Sequence, residues 1–102
     1  MVTRGSVHWV NFAGGRRPGL IMTRAVAIPL LTRVLIVPAT KTARDIPSEV
    51  QLDEDDGMPA ACVLSFDNVV AVERARIGDL ITTLGPTRMA QVCQAWHLVA
   101  DC

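Results

Sequence analysis

The chain has no tyrosine and few aromatic residues of any kind, because two Trp and two Phe make up 4% of its 102 residues. A non-catalytic domain that reads peptides or nucleic acids usually needs a groove lined by exposed aromatic rings. Such a groove is hard to build from four aromatic residues. The composition therefore argues against a pure binding module, although it does not exclude one.

Potential metal ligands are also scarce. The three cysteines, Cys62, Cys93 and Cys102, are odd in number and form no CxxC pair, and the chain has only two histidines. This spacing does not match a zinc site, and half of the residues are hydrophobic, so folding needs neither metal nor disulfides. We expect no metal site, no cofactor and a reduced, cytoplasmic protein.

Long uninterrupted apolar runs are missing as well. The longest apolar stretch, residues 25–39, contains two prolines and several polar residues, so it is too broken to span a bilayer. The first apolar patch is interrupted by His8 and Asn11, which argues against a secretory signal. The length suits one core, and we expect a single domain over residues 1–102 that does not enter a membrane.

Charge is distributed unevenly along the chain although the formal net charge is zero. Residues 1–44 carry seven basic side chains and no acidic one, whereas residues 45–56 carry six acidic side chains and no basic one. This asymmetry predicts a basic face for a polyanion. Alternatively, the two blocks neutralise each other in the fold.

Local sequence patterns predict many short strands followed by one helix. The predicted strands cover residues 6–12, 18–23, 33–39, 47–52, 61–65, 68–73 and 80–84. Between them we predict a connector at 25–32, an acidic turn at 53–59 and one helical turn at 75–79. Short strands at this spacing favour a small antiparallel barrel or sandwich with the helix on one face.

The last segment changes to helical spacing, with Pro86 suited to the first helical position and Gly85 to the N-cap. The predicted apolar stripe consists of Met89, Val92, Cys93, Trp96, Val99 and Ala100. We expect both tryptophans, Trp9 and Trp96, to serve as core or dimer contacts.

The segment Gly14-Gly15-Arg16-Arg17-Pro18 is the strongest local signal. Glycine allows a tight turn, and proline holds the preceding arginine in an extended conformation. This combination predicts an arginine at the mouth of a strand, where its planar fork of donors suits a phosphate. The alternative is that both arginines are ordinary solvated loop charges.

Five patches of the chain, taken in order, resemble the MazF/PemK (Kid) toxins of bacterial toxin–antitoxin systems. They are RGSVHWVNF at 4–12, RRPGLIM at 16–22, VPATKT at 37–42, PSEV at 47–50, and SFDN at 65–68 followed by the Gly85-Pro86 helix. The resemblance spans nearly the whole chain. It implies a mainly β (α+β) fold, a small SH3-like antiparallel β-barrel with a C-terminal helix, that usually forms a homodimer.

The resemblance also implies a function. Members of the family are ribosome-independent and metal-independent endoribonucleases that cut single-stranded RNA at short motifs and are inhibited by a cognate MazE-like antitoxin. The related toxin CcdB shares the fold without nuclease activity, and it leaves open the alternative of a toxin that poisons a protein target such as gyrase.

The site residues follow from the same matches. Arg17 corresponds to the catalytic arginine of the family and Thr40 to the catalytic threonine. In RNA cleavage through the 2′-OH, which yields a 2′,3′-cyclic phosphate and a 5′-OH end, Arg17 would stabilise negative charge and Thr40 would hydrogen-bond the phosphate or the 2′-OH. His8 and His97 are alternative general bases. The predicted RNA contacts are Asn11, Arg16, Lys41, Thr42 and Asn68, of which Asn11 and Asn68 replace the Asp and Gln common in the family.

Overall fold

The computed structural model describes residues 2–100 as seven antiparallel strands followed by one α-helix. The strands are β1 (Ser6–Phe12), β2 (Gly15–Ile21), β3 (Arg33–Thr40), β4 (Glu49–Leu52), β5 (Cys62–Ser65), β6 (Val70–Glu73) and β7 (Ile77–Thr83), and the helix is α1 (Pro86–Ala100). Short 3₁₀ turns occur at Ile28–Leu30, Glu54–Asp56, Phe66–Asn68 and Arg74–Arg76. The predicted mainly β class with a C-terminal helix is confirmed.

Strand β3 is the centre of the sheet. The strand order is β4-β5-β3-β2-β1-β7, and β6 pairs with the first half of β3, at Arg33 to Ile36. The second half of β3 pairs with β2 and, at Ala39 and Thr40, with β5. Within residues 2–100 the end strands β4 and β7 are not hydrogen-bonded to each other, so closure of a barrel is not detected.

The β1–β2 hairpin is tighter than the sequence predicts. Phe12 pairs with Gly15, which leaves only Ala13 and Gly14 as the loop. Gly15 has φ +126°, a conformation that residues with a Cβ rarely adopt. Strand β2 therefore begins at Gly15 and not at residue 18, and both arginines of the glycine–arginine segment lie within a paired strand.

The predicted helical turn at 75–79 is displaced. A 3₁₀ turn covers Arg74–Arg76, and β7 already begins at Ile77. The pairing of β1 with β7 has two irregularities in register, between Val7 and His8 and between His8 and Val10. Such bulges allow a strand to continue through residues with weak strand propensity, which here include Gly78 and Asp79.

Helix α1 begins where the sequence predicts, and the Met89 backbone N–H donates to the Gly85 carbonyl at 2.9 Å. The buried stripe differs in part from the prediction. Val92 and Ala95 are buried, and Met89, Trp96 and Val99 pack against the core beside them, whereas Cys93 and Ala100 are exposed. Cys93 follows Val92 directly, and a step of one residue turns a side chain about 100° around the helix.

The core consists of two groups of buried side chains. The larger group includes Val7, Leu20, Val37, Leu64 and Phe66 and extends to Val92 and Ala95 of the helix. The smaller group comprises Val10, Ile21, Ile28, Val34, Ile36 and Val72. Gly19 of β2 lies against the smaller group, where a Cβ would come within 2.5 Å of Ile36 and within 3.2 Å of Phe12 and Val10. The absence of a side chain at Gly19 is what allows this close packing.

His8 is a structural residue in this fold. Its side chain is buried, Nε2 lies 2.9 Å from the Ser6 hydroxyl, and Nδ1 lies 3.0 Å from the Gly78 carbonyl oxygen. A carbonyl oxygen only accepts, so Nδ1 carries a proton and donates it. Nδ1 therefore links β1 to β7 and Nε2 is engaged within β1, so neither ring nitrogen is directed at a substrate.

The acidic turn between β4 and β5 is a compact, self-capped structure. The Asp53 carboxylate accepts from the Asp55 N–H at 2.9 Å, and the Asp56 carboxylate accepts from the Asp53 N–H at 2.9 Å. Gly57 ends the turn with φ +90°, and the Asp56 carbonyl accepts from the Thr82 hydroxyl at 2.8 Å. The turn is thus attached to β7.

We expect Gly57→Ala to destabilise the protein by about 1–3 kcal/mol. Alanine is strained at this positive φ. In addition, the Cβ of the alanine would overlap the Thr82 side chain, because it would lie only 2.9 Å from the Thr82 Cβ. Urea unfolding followed by circular dichroism measures the change. The matched control is Gly85→Ser, at a position with open space around the Cβ. Equal stabilities of the two variants would contradict this prediction.

Candidate active-site cleft

An open cleft of about 530 Å³ lies where the ends of β1, β2 and β3 meet the segment between the acidic turn and β5. It is lined by Trp9 of β1, by Arg16, Arg17 and Pro18 of β2, by Ala39, Thr40 and Lys41 at the end of β3, and by the wall Met58–Cys62. A volume of this size accommodates a small ligand or one nucleotide unit. Four of the seven predicted site residues are thus brought together here: Arg16, Arg17, Thr40 and Lys41.

Strand pairing explains the position of Arg16. Trp9 lies opposite Pro18, and Arg16 is two residues from Pro18 on the same strand. Because side chains alternate between the two faces of a strand, Arg16 lies on the same face as Trp9. The Arg16 Cζ is 4.9 Å from the centroid of the Trp9 ring, a cation–π contact.

Arg17 and Thr40 reach the cleft from neighbouring strands. The Arg17 side chain is exposed, and its Nη2 atom would lie 3.7 Å from a Cβ placed on Gly14. Thr40 ends β3 opposite Val63 of β5. The Thr40 hydroxyl oxygen accepts from the Thr42 backbone N–H at 3.3 Å, so the hydroxyl proton remains available as a donor.

The electrostatic character of the cleft is cationic. Arg16, Arg17 and Lys41 line it, and none of the lining residues is an aspartate or a glutamate. Within residues 2–100 the one salt bridge joins Arg88 and Asp56, so these three cations are not neutralised by ion pairs. Within residues 2–100 no ion pair therefore joins the acidic block of the sequence to these three cations.

Cys62 lies in the wall of the cleft and is half-buried. Burial raises the pKa of its thiol, and the negative charge of Asp56 raises that pKa further. A thiol with a raised pKa stays protonated at neutral pH and is a poor nucleophile. Cys62 therefore contributes surface to the wall and not a reactive thiolate.

The wall is anchored by an ion pair behind it. The Arg88 Nε donates to an Asp56 carboxylate oxygen at 2.9 Å, and the Asp56 side chain is only 12% exposed. The hydrogen bond from Arg88 lowers the pKa of Asp56, against a smaller opposing effect of burial. Helix α1 thereby holds the acidic turn, and the turn holds the segment from Met58 to Cys62.

The other three predicted RNA contacts lie outside the cleft lining. Asn11 lines a separate groove of about 220 Å³. The backbone carbonyl oxygen of Asn11 accepts a hydrogen bond from the Arg76 guanidinium at 3.3 Å. Asn68 is exposed on the turn after β5, where its side-chain amide donates to the Ser65 hydroxyl at 2.8 Å. Thr42 contributes its backbone N–H to Thr40, while its side chain does not line the cleft.

The sequence interpretation missed two parts of the site. Trp9, predicted as a core or dimer contact, lines the cleft and belongs to neither core group, whereas Trp96 packs against the core as predicted. The wall from Met58 to Cys62 carries few polar groups and gives no recognisable motif. The position of Trp9 beside Arg16 follows from the pairing of β1 with β2, which no local sequence pattern reveals.

Two further observations concern the described part of the chain, residues 2–100. No group of three or more His, Cys, Asp or Glu side chains is arranged to hold a metal ion. No helix has both the length and the apolar character that crossing a bilayer requires.

The described residues thus form a small, mainly β protein with a seven-stranded antiparallel sheet, one C-terminal helix and a cationic cleft. Residues 3–99 match the family described as the PemK-like, MazF-like toxin of type II toxin–antitoxin systems. The chain belongs to this family, as the five sequence patches predict.

Several known members are similar over nearly their full length. The chain is 37% identical to the probable endoribonuclease MazF5 of Mycobacterium tuberculosis, over 97% of this chain and 93% of that protein. The structure of the Mycobacterium tuberculosis toxin MazF-mt6 superposes with a TM-score of 0.87 at 30% identity, over 94% and 96% of the two chains. A chain from the MazE–MazF crystal structure of Deinococcus radiodurans gives a TM-score of 0.81 at 25% identity, over 98% and 95%.

The ion pair behind the wall predicts a pH dependence. Because the folded protein lowers the pKa of Asp56, the pair stabilises the fold above the pKa of an unfolded aspartate, about 3.9, and this stability is lost as pH falls through the lower folded pKa. We expect Asp56→Asn to cost about 1–2 kcal/mol at pH 7 and progressively less below pH 4.

Urea unfolding at several pH values measures this difference. Asp55→Asn is the matched control, because Asp55 lies in the same turn with an exposed side chain that forms no ion pair within residues 2–100. A cost of Asp56→Asn that stays constant from pH 7 to pH 2.5 would show that the charge of Asp56 is not what stabilises the turn.

Proposed function

We propose that this protein is an endoribonuclease toxin that cleaves single-stranded RNA without a metal ion, through attack of the 2′-OH on the adjacent phosphate. The observation that carries the proposal is the convergence of Arg17, Thr40 and two further cations in one cleft without acidic lining. Relatives at 37% and 39% identity are named as a probable endoribonuclease and an endoribonuclease. The products are a 2′,3′-cyclic phosphate and a 5′-OH end.

Arg17 stabilises the charge that develops on the phosphate. Attack by the 2′-oxygen places additional negative charge on the non-bridging phosphate oxygens, and a guanidinium can donate two parallel hydrogen bonds to them. Arg17 is suited to this role because it is exposed in the cleft and no ion pair within residues 2–100 occupies it. A guanidinium group keeps its proton under all conditions in which proteins stay folded, so the role of Arg17 is electrostatic and not that of a proton donor.

Thr40 orients the reacting group. Its hydroxyl oxygen already accepts from the Thr42 N–H, which fixes the hydroxyl relative to the loop and leaves its proton directed elsewhere. In the proposed complex this proton is donated to a phosphate oxygen or to the attacking 2′-oxygen. Arg16 and Lys41 bind flanking phosphates, and Thr42 acts through its backbone.

The proposal includes two partners. The active form is a homodimer, and a cognate MazE-like antitoxin inhibits it by covering the cationic cleft. The MazE–MazF structure from Deinococcus radiodurans supports the antitoxin part, since that toxin is found together with MazE. A disordered acidic segment that orders on a basic surface is a common solution to such inhibition. Asn11 and Asn68, which lie outside the cleft, would contact RNA beyond the scissile phosphate.

We expect Arg17→Ala to reduce the rate of RNA cleavage by about 100- to 1000-fold without loss of stability, because it removes a donor to the transition state from an exposed position. Arg17→Lys should restore little activity, since an ammonium group cannot form the bidentate contact. Thr40→Val should also impair cleavage, and Thr40→Ser, which retains the hydroxyl, should impair it less. Cleavage of a mixed RNA pool, with sequencing of the 5′-OH ends, measures these effects.

The matched control is Arg24→Ala, which removes an exposed arginine outside the cleft lining, and His97→Ala tests the alternative base on the exposed face of α1. Both should retain activity, and cleavage should persist in EDTA. If His97→Ala abolishes cleavage while Arg17→Ala does not, the roles are assigned to the wrong residues. Failure of the purified protein to cleave any RNA would favour a toxin that acts on a protein target.

RNA binding should depend strongly on salt, because three unpaired cations in the cleft would release counterions from the RNA. Three phosphate contacts to a single strand give an affinity loss of about 20-fold between 50 and 200 mM salt. Fluorescence anisotropy with a labelled, uncleavable 2′-deoxy oligonucleotide measures this affinity at each salt concentration. Lys41→Ala should lower the slope of log affinity against log salt concentration by the amount expected for one phosphate contact. A flat salt dependence would contradict binding by this cationic surface.

A further inference from the structure

Trp9 is the one aromatic residue among the described residues that line the cleft. Its side chain is half-buried, and it belongs to neither of the two hydrophobic groups that form the core. Its ring is therefore not required to fill the interior. A large apolar ring that borders a cationic cleft has the two properties by which single-stranded nucleic acids are held, a stacking surface beside a charged surface.

The Trp9 backbone is paired with β2 on one side and lies at a bulge against β7 on the other. It lies in the middle of β1, which pairs with β2 at Pro18 and with β7 at the neighbouring His8 and Val10. Gly78 of β7 approaches so closely that a Cβ there would lie 3.1 Å from the Trp9 carbonyl oxygen. A ring on such a backbone is positioned before any ligand arrives, which reduces the entropic cost of binding.

Arg16, which covers the Trp9 ring, is in contrast free to move. Its side chain is exposed and forms no salt bridge within residues 2–100. The guanidinium carbon lies 4.9 Å from the ring centroid. For a base to fit between the guanidinium and the ring, their separation would have to be about 7 Å, which is two stacking spacings of about 3.4 Å. A base can therefore stack on Trp9 only if Arg16 moves outward by about 2 Å or leaves the ring.

We infer that Trp9 is a stacking platform for one nucleobase of the RNA, and that Arg16 covers this platform in the free protein and yields to the base. This inference rests on the proposed function, since it concerns the same cleft. Base stacking on an aromatic ring increases affinity by about 5- to 150-fold, whereas an exposed cation–π contact stabilises by about 2- to 5-fold. The base therefore displaces Arg16 from the ring. The displaced guanidinium then binds a phosphate or stacks on the outer face of the base.

The functional consequence is a requirement for bases as such. Stacking accepts any base because every base has a π-face, so Trp9 does not select a sequence. It selects polynucleotides over other polyanions that could occupy the same three cations. Trp9 thus supplies a recognition element that does not depend on charge.

The test uses the variant Trp96→Phe, in which Trp9 is the only tryptophan. Two uncleavable probes of equal charge are titrated: a single-stranded DNA octamer of randomised sequence, and an octamer of base-free tetrahydrofuran phosphates. We expect the DNA octamer to quench Trp9 fluorescence and to bind at least 5-fold more tightly than the base-free octamer. Arg16→Ala in the same background should raise this ratio by about 2- to 5-fold, because no cation–π contact has to be broken before a base stacks, and it should lower the salt dependence of binding by about one phosphate contact.

The dependence on the ring itself is tested with Trp9→Leu and Trp9→Phe, using labelled octamers and anisotropy. Trp9→Leu should bring the affinity ratio close to one, and Trp9→Phe should retain most of it. Equal affinity of the two octamers for Trp96→Phe overturns the inference whether or not the Trp9 variants fold, as does an unchanged ratio in folded Trp9→Leu. If RNA cleavage persists in that case, the stacking inference alone has failed; if neither binding nor cleavage occurs, the proposed function has failed as well.

Discussion

The pairing of strand β3 with three other strands is the constraint on which the rest of the structure depends. A strand that pairs with β6 over its first half and with β2 and β5 over its second half cannot slip in register without moving Val34 and Ile36 out of one core group and Val37 out of the other. This fixed register determines where β3 ends. Thr40, its last residue, therefore reaches the cleft at a position set by the buried sheet and not by the loop that follows.

The opposite side of the cleft depends on a different kind of interaction. The wall from Met58 to Cys62 has little secondary structure, yet Met58 is buried in the core and the preceding turn is fixed by Arg88 and Thr82. One side of the cleft is thus positioned by strand pairing and the other by hydrogen bonds to a few charged and polar groups. Variation in residues 59–61, which are exposed, can change the shape of the cleft without disturbing the core.

Sequence patterns predicted most of the strands because apolar runs such as residues 33–39 allow few alternatives, and they predicted the helix because Gly85 and Pro86 mark its start. They failed where tertiary contacts overrule local preference. Strand β2 includes Arg16 and Arg17 because β1 pairs with them, although no apolar pattern marks these residues. Ala95 is buried although it was not predicted to be, and Cys93 is exposed although it was predicted to be buried, because hydrophobicity alone does not define which face of a helix meets the sheet. The family resemblance indicated four residues of the cleft, but it could not indicate Trp9, whose position depends on cross-strand geometry.

The cationic cleft and the acidic turn lie side by side on a protein whose formal net charge is zero. Ala61 marks the boundary, since it borders both the cationic cleft and a shallow surface formed by Asp53, Glu54 and Asp55. A polyanion in the cleft therefore meets repulsion beyond Ala61 within a Debye length of about 10 Å, and this favours one direction for its path out of the cleft. The acidic turn, which stabilises the wall mechanically, thus also limits the orientation of any polyanion beside it.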